Sequence, residues 1–145
     1  MRIYMSAITG LMQQNHKECD ELFSVAEVAA SEGEWDKTAS AWQTFTNELE
    51  QHITVKEEGI LFPAIEAVNG PMGPTQMMRA EHEQMRALVT QIESAVNEQD
   101  AQKFLGLSET LMMLMQQHNM KEEQILYPMI DQSVTNAAEL LQETA

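Results

Sequence analysis

Apolar residues return every three, four or seven positions along most of this chain, the period of a helix that buries one face. In the first stretch, from about Ser6 to Ser31, one stripe holds Ile8, Met12, Cys19, Phe23 and Ala26, and Ser6 stands where an N-cap belongs. The second runs from about Trp35 to Val68, with Trp42, Phe45 and Leu49 on its stripe, and Pro63 is expected to kink or break its end. The third, from about Pro74 to Asn97, has the cleanest stripe: Met78, Met85, Val89, Ile92 and Val96. In the fourth, from about Ala101 to Ile130, Phe104, Leu107, Leu111 and Leu114 are expected to face inward, with Asp100 as N-cap. A short amphipathic tail follows, around Thr135 to Gln142. Between the stripes lie the turn sequences "SEGEWD", "NGPMGP" and "NEQD", of which the second is the strongest linker.

Helices of about 22–30 residues are roughly 33–45 Å long, and short connections favour antiparallel neighbours. The expected fold is therefore all-α: an antiparallel up-down-up-down four-helix bundle with a short C-terminal helix. Only 6 Gly and 4 Pro occur in 145 residues, mostly between the periodic stretches, which argues against a many-stranded sheet. The 43% of hydrophobic residues suffices for one core, so residues 1–145 read as a single domain.

The chain also repeats itself. "QHITVKEEGILFP" at 51–63 has a near-twin in "QHNMKEEQILYP" at 117–128. His16 and His52 are 36 residues apart, as are His82 and His118. The two halves, approximately 6–68 and 74–130, look like two copies of a helix pair, with a tail over 131–145. Each long segment thus holds one histidine, and each histidine continues its helix's apolar stripe. His16 follows Met12 by four, His52 follows Leu49 by three, His82 follows Met78 by four and His118 follows Leu114 by four. Side chains at these offsets share a face, so all four imidazoles are expected inside. Four unpaired buried imidazoles would each cost desolvation energy, whereas a metal ion is satisfied by neutral imidazole.

Carboxylates stand beside two of them. Glu122 follows His118 by four residues, about 40° around an ideal helix, and faces the same interior, while Glu123 should lie nearer solvent. The repeat maps Glu122 onto Glu57, yet Glu57 follows His52 by five residues, about 140° away on an ideal helix. A π-bulge between His52 and Glu57 would absorb the extra residue and realign them. The candidate metal ligands are then His16, His52, Glu57, His82, His118 and Glu122. Six donors exceed the four of a structural zinc site and suit two metals bridged by two carboxylates, with iron or manganese favoured over copper or zinc. A site of the ferritin type needs Glu three residues before a His. Those positions hold Gln13, Leu49, Arg79 and Met115, which rules that arrangement out.

In "NHKECDEL", "QHITVKEEGILFP", "AEHEQMRAL" and "QHNMKEEQILYP", taken in order, the chain resembles the hemerythrin-like proteins of the HHE cation-binding type. The resemblance covers nearly the whole chain. It implies a left-handed four-helix bundle around a non-haem di-iron centre, two iron ions joined by an oxo or hydroxo bridge; the residues themselves leave manganese or a mixed-metal pair open. Position by position, His16, His52, His82 and His118 match the iron-binding histidines, and Glu57 and Glu122 match the bridging carboxylates. Both His-to-carboxylate spacings occur in the family. Oxygen-carrying members place a fifth His four residues after the third-helix His, where this chain has Arg86; the corresponding position in the first helix is Asp20. The four-histidine set is similar to that of di-iron proteins implicated in iron–sulfur cluster repair and nitric oxide handling, although the cysteine-bearing N-terminal domain usual in those is not read here.

The net charge of −15 leaves no cationic footprint for nucleic acid and disfavours anionic membrane surfaces. No run of 18 apolar residues is present, no signal peptide is read, and one cysteine, Cys19, fits a reducing cytoplasm. Cys19 is expected as a small core residue, and the Met-rich "LMMLMQQ" as packing. Tyr127, the repeat partner of Phe62, should pack near the site with its hydroxyl within reach of a carboxylate or water, and Trp42 and Phe45 should help keep the site dry. The expected function is binding of a small ligand, oxygen or nitric oxide, at an open iron position, in sensing, storage or stress response, with a redox partner protein in some settings. The alternatives are a di-iron enzyme that reduces nitric oxide or peroxide, and an iron donor for cluster repair.

Overall fold

A computed structural model describes residues 7–70 and 72–142. It is an all-α helical bundle of four long helical segments, with no strand among the described residues. The first segment is α1 (Ala7–Ser31). The second is continuous through α2 (Trp35–Glu50), a π-helical stretch (Gln51–Leu61) and α3 (Phe62–Asn69). The third is α4 (Gly73–Glu98). The fourth runs through α5 (Ala101–Lys121), a second π stretch (Glu122–Leu126) and α6 (Tyr127–Ser133), and a short α7 (Ala137–Gln142) closes the chain. Each long segment packs against its two neighbours, α1 against both α2 and α5, and α4 against both α2 and α5.

Local chemistry sets the ends. Gly33 adopts φ 73° in the turn after α1, a left-handed conformation that costs glycine nothing. After α4, Gln99 is left-handed at φ 54°, and the Asp100 N–H reaches back to the Ala95 carbonyl at 3.0 Å. Asp100 then caps α5 as expected, its carboxylate accepting from the Lys103 N–H at 3.0 Å. The expected cap Ser6 lies outside the described residues. At the start of α1 the Asp131 carboxylate accepts from the N–H groups of Ile8 (2.8 Å) and Thr9 (3.2 Å), which ties the fourth segment to the first.

The π-bulge expected between His52 and Glu57 is present, but the widening is more extensive. The stretch covers 11 residues in the first copy and recurs over 5 residues in the second, where none was expected. The two overlap by sequence: "EEGIL" at 57–61 corresponds to "EEQIL" at 122–126. In each, the N–H of the aromatic residue bonds five residues back, Phe62 to Glu57 and Tyr127 to Glu122. The shared widening therefore follows the carboxylate, and the first copy has an additional widened portion before it. Pro63 neither breaks nor ends its helix. It falls on the first turn of α3, directly after the wide turns, where its missing N–H is tolerated, and the helix continues to Asn69. Pro128 does the same in α6. Gly59 has its own role in the wide turn: a Cβ there would stand 3.0 Å from the Thr54 carbonyl oxygen.

The core divides into two apolar clusters. One is aromatic, with Phe23, Trp42, Phe45 and Phe104 in contact at ring-centroid distances of 5.0–5.9 Å between successive partners. Cys19, Leu49, Ile53, Met85 and Met115 extend it towards the middle of the bundle. The other gathers Ile8, Met12, Leu61, Phe62, Met78, Leu126 and Tyr127. Along α1 the boundary falls between Met12 and Cys19, where His16 sits. On α5 the buried line runs through Phe104, Ser108, Leu111 and Met115; Leu107 and Leu114, expected to face inward, pack at its margin. A helix buries a stripe narrower than all its apolar residues, and Ser108 and Met115 lie closer to its centre line.

Candidate metal centre

At the boundary between the two clusters the bundle gathers ionisable side chains. His16 comes from α1, His52 from the first π stretch, His82 from α4 and His118 from α5; Glu57 and Glu122 come from the two π stretches. All six are buried, and Glu57, His82 and Glu122 are wholly inaccessible. The structure thus brings every sequence-predicted ligand to one place. The first π stretch turns Glu57 onto the face of His52 across the five-residue interval, while α-type turns do the same for the four residues between His118 and Glu122.

The donor atoms fall into two groups that share both carboxylates. In the first, His16 Nε2 lies 3.1 Å from His52 Nε2 and 3.2 Å from Glu122 Oε1, and His52 Nε2 lies 3.5 Å from Glu57 Oε2. In the second, His82 Nε2 lies 2.9 Å from Glu57 Oε1 and His118 Nε2 lies 3.1 Å from Glu122 Oε2. Each carboxylate therefore offers one oxygen to each group.

The outward nitrogen of every imidazole is held. His16 Nδ1 faces Glu123 at 2.6 Å, His82 Nδ1 faces Glu58 at 2.7 Å and His118 Nδ1 faces Glu81 at 2.8 Å. His52 Nδ1 faces the Asn15 amide oxygen at 2.5 Å, and that amide is oriented by its NH2 donating to Glu48 at 2.9 Å. Carboxylates and an amide oxygen only accept, so each Nδ1 is the protonated nitrogen and donates. The Nε2 atoms are left to face inward with lone pairs. The outer groups are themselves anchored: Glu58 accepts from Arg86 at 2.9 Å, and Glu81 accepts from Lys121. The arrangement is two-fold. The residue just before His16 or His82 grips the histidine of the following segment, and the residue just after Glu57 or Glu122 grips His82 or His16.

This geometry tests what the centre can hold. Among the buried polar atoms with no hydrogen-bond partner in the described residues are Glu57 Oε1, His82 Nε2, His118 Nε2 and Glu122 Oε2, the four donors of the second group. His82 Nε2 and Glu57 Oε1 are 2.9 Å apart and yet make no hydrogen bond. Electron-rich atoms converging without a hydrogen between them repel unless a cation lies among them. The residues present fit a metal ion at both groups. Without one, protons take up part of the charge. Burial pulls His118 down, but Glu122, Glu57 and Glu81 outweigh it and push the imidazole up to about 9. His16 is raised in the same way, burial being outweighed by Glu122 and Glu123. Burial pushes Glu57 up, yet His52 and the hydrogen bonds around it hold the carboxyl well below its ordinary range. Protons and metal ions thus compete for the same lone pairs.

Above and below the donors the surroundings differ. On one side a cavity of about 10 Å³ is lined by Leu49, Ile53, Met85 and Met115 together with His16, His52, His118 and Asn119. Cys19 also borders it; burial pushes this thiol up to about 12, so it is neutral. On the other side lies the Tyr127 hydroxyl, 2.8 Å from Glu122 Oε1, 3.1 Å from His16 Nε2 and hydrogen-bonded to Glu57 Oε2. Burial, with the charges of Glu122 and Glu57, holds its ionisation well above the ordinary tyrosine range. Outside the bundle, His16 and Glu123 border a surface cleft of about 440 Å³ that also contains Lys17, Asp20 and Gln124.

Sequence reasoning missed the outer ring. Glu123, expected nearer solvent, is only 28% exposed and holds His16. Glu58, Glu81 and Asn15 were not foreseen. The signal was present in the repeat: both copies have a second Glu after the bridging one, and a polar residue stands directly before each of His16 and His82. Helical angles alone could not show that these residues serve a histidine of a neighbouring helix.

The family model of the hemerythrin HHE cation binding domain matches residues 7–130 of the chain, a span that contains all six inward donors and the four outer groups. No curated protein and no solved structure matches the chain.

Proposed function

This chain belongs to the hemerythrin HHE cation-binding family, and we propose that it is a non-haem di-iron protein that takes up oxygen or nitric oxide at an open metal position, in sensing, storage or stress response. The observation that carries this reading is the pair of carboxylates shared between two donor groups, Glu57 and Glu122 each giving one oxygen to either side. Two imidazoles and two carboxylate oxygens per metal leave coordination positions free, and an N/O donor set without thiolate suits iron. Bound ferrous iron would supply the electrons and the vacant position that a diatomic ligand needs.

The chain's own residues do the rest. Glu58, Glu81, Glu123 and Asn15 hold the imidazoles with Nε2 inward, so the donors are arranged before any metal arrives. Leu49, Ile53, Met85 and Met115 exclude water from the face where a ligand would sit. Their cavity is close to the limit for one water-sized molecule, which supports a diatomic ligand over a larger substrate. Its polar lining, apart from the imidazoles, is the Asn119 amide and the neutral Cys19 thiol, the second a weak donor. The surface cleft that His16 and Glu123 border offers a route for exchange with solvent.

Reconstitution with ferrous iron is expected to load about two iron ions per chain, and His118→Ala to lose a large part of that metal. Anaerobic nitric oxide, or air, should shift the visible spectrum of the loaded protein. A fully loaded chain with one metal ion, or a spectrum that neither gas moves, overturns the reading.

A further inference from the structure

We propose that Tyr127 makes the two metal positions chemically unequal, its phenol oxygen serving as a fifth protein donor to the metal held by His16 and His52. The inference rests on the two-metal reading above. The Tyr127 oxygen lies 3.1 Å from His16 Nε2, 3.5 Å from His52 Nε2 and 2.8 Å from Glu122 Oε1, and it is in hydrogen-bond contact with Glu57 Oε2. It is therefore close to all four atoms of the first donor group at once. Metal–ligand bonds of about 2.1 Å meeting near right angles place neighbouring donors about 3 Å apart. The separations within the group itself, 3.1, 3.2 and 3.5 Å, have that size, and those to the phenol oxygen match them. A hydroxyl that only packed nearby would approach one or two of these atoms.

The second group has no counterpart. By the repeat, Tyr127 corresponds to Phe62, whose ring stacks on His82 with centroids 5.7 Å apart and planes at 10°. A phenyl ring has no donor atom, so the second metal keeps four protein donors where the first has five. On binding, the phenol O–H bond is replaced by an oxygen–metal bond, the proton passes to bulk water and no electron moves.

The test is the ferric protein, loaded with ferrous iron and oxidised with ferricyanide. Its iron content is counted, and resonance Raman spectra are recorded with excitation in the visible. Phenolate bound to ferric iron gives ring modes that shift when the protein is grown on ring-deuterated tyrosine. Wild type should show them. Tyr127→Phe, a change to the residue at the equivalent position, should lose them while still holding about two irons. Tyr4→Phe, the other tyrosine, should keep them. Two irons without the modes in wild type, which needs no variant to fold, overturns the role of Tyr127 and leaves the di-iron reading standing. Persistence of the modes in Tyr127→Phe also overturns it. Fewer than two irons in wild type overturns both.

Discussion

At the residue scale the candidate centre has an outer ring of groups behind its six inward donors. Glu81 accepts from His118 Nδ1 and is itself held by Lys121, so it fixes both the tautomer and the ring orientation of His118. Glu81→Ala should weaken metal binding by about 10–100-fold, read by competition with a chelator, whereas Glu109→Ala on the exposed side of α5 should leave it unchanged. The electrostatics of the donors carry a second prediction, for the metal-free protein. His118 is raised from 6.5 to about 9, so its contribution to stability is fully present below 6.5 and is lost as pH rises through about 9. His16 is shifted in the same direction. Glu57 is shifted below 4.5, so its contribution is present above that value and is lost in acid. Thermal melts of metal-free protein should therefore fall towards alkaline pH, and metal loading should abolish that slope. Melting points that stay level between neutral pH and pH about 9 would contradict the assignment of charged imidazoles.

At the element scale the two copies solve one problem with different spacings. The widened turns after Glu57 and after Glu122 are common to both, and the extra residue between His52 and Glu57 is absorbed by further widening upstream. Deleting Val55 should therefore convert the first copy to the geometry of the second. The His–Glu interval becomes four residues, α-type turns suffice, and the protein should still load about two irons, as measured by metal analysis on the purified variant. A folded variant that no longer binds metal would show that the upstream widening has a role beyond register. The periodicity of apolar residues made all four helices legible, along with the cap at Asp100. The second π stretch was not legible, because its His–Glu interval already fits an α-helix. The widening there lies after the ligand, where only Pro128 hints at it. The marginal burial of Leu107 and Leu114 was hidden for a similar reason: Leu is apolar wherever it falls, and only packing against α4 and α1 decides which residues reach the centre.

At the scale of the whole molecule the donor layer is a polar plane between two apolar clusters, one containing Phe23, Trp42 and Phe45 and the other Phe62, Leu126 and Tyr127. Across that plane the helices meet through the inward donors, which a shared cation would tie together. Metal removal should cost about 3 kcal/mol or more of unfolding free energy at saturating metal, measured by chemical denaturation of loaded and metal-free protein, and equal midpoints would sink that expectation. Trp42 and Phe45 are buried in the aromatic cluster on one side of the donor layer. The net charge of −15 favours cation approach to the surface cleft, and no helix among the described residues is long and apolar enough to cross a membrane.

What the amino-acid order determined by itself was local and periodic. The chain forms four long helices, each has one inward histidine, Glu122 stands inward beside one of them, and the halves repeat, because side-chain direction on an α-helix follows from spacing; for Glu57, five residues after His52, the repeat supplied what spacing did not. What only the tertiary structure decided was every relation between helices. Glu123 reaches His16 across 107 residues of chain, Asn15 and Glu81 each grip a histidine 37 residues on, and the Tyr127 hydroxyl lies among four donors from two other segments and its own. Such contacts depend on the relative height and rotation of packed helices, which are set by the fit of the whole core and are written in no single segment.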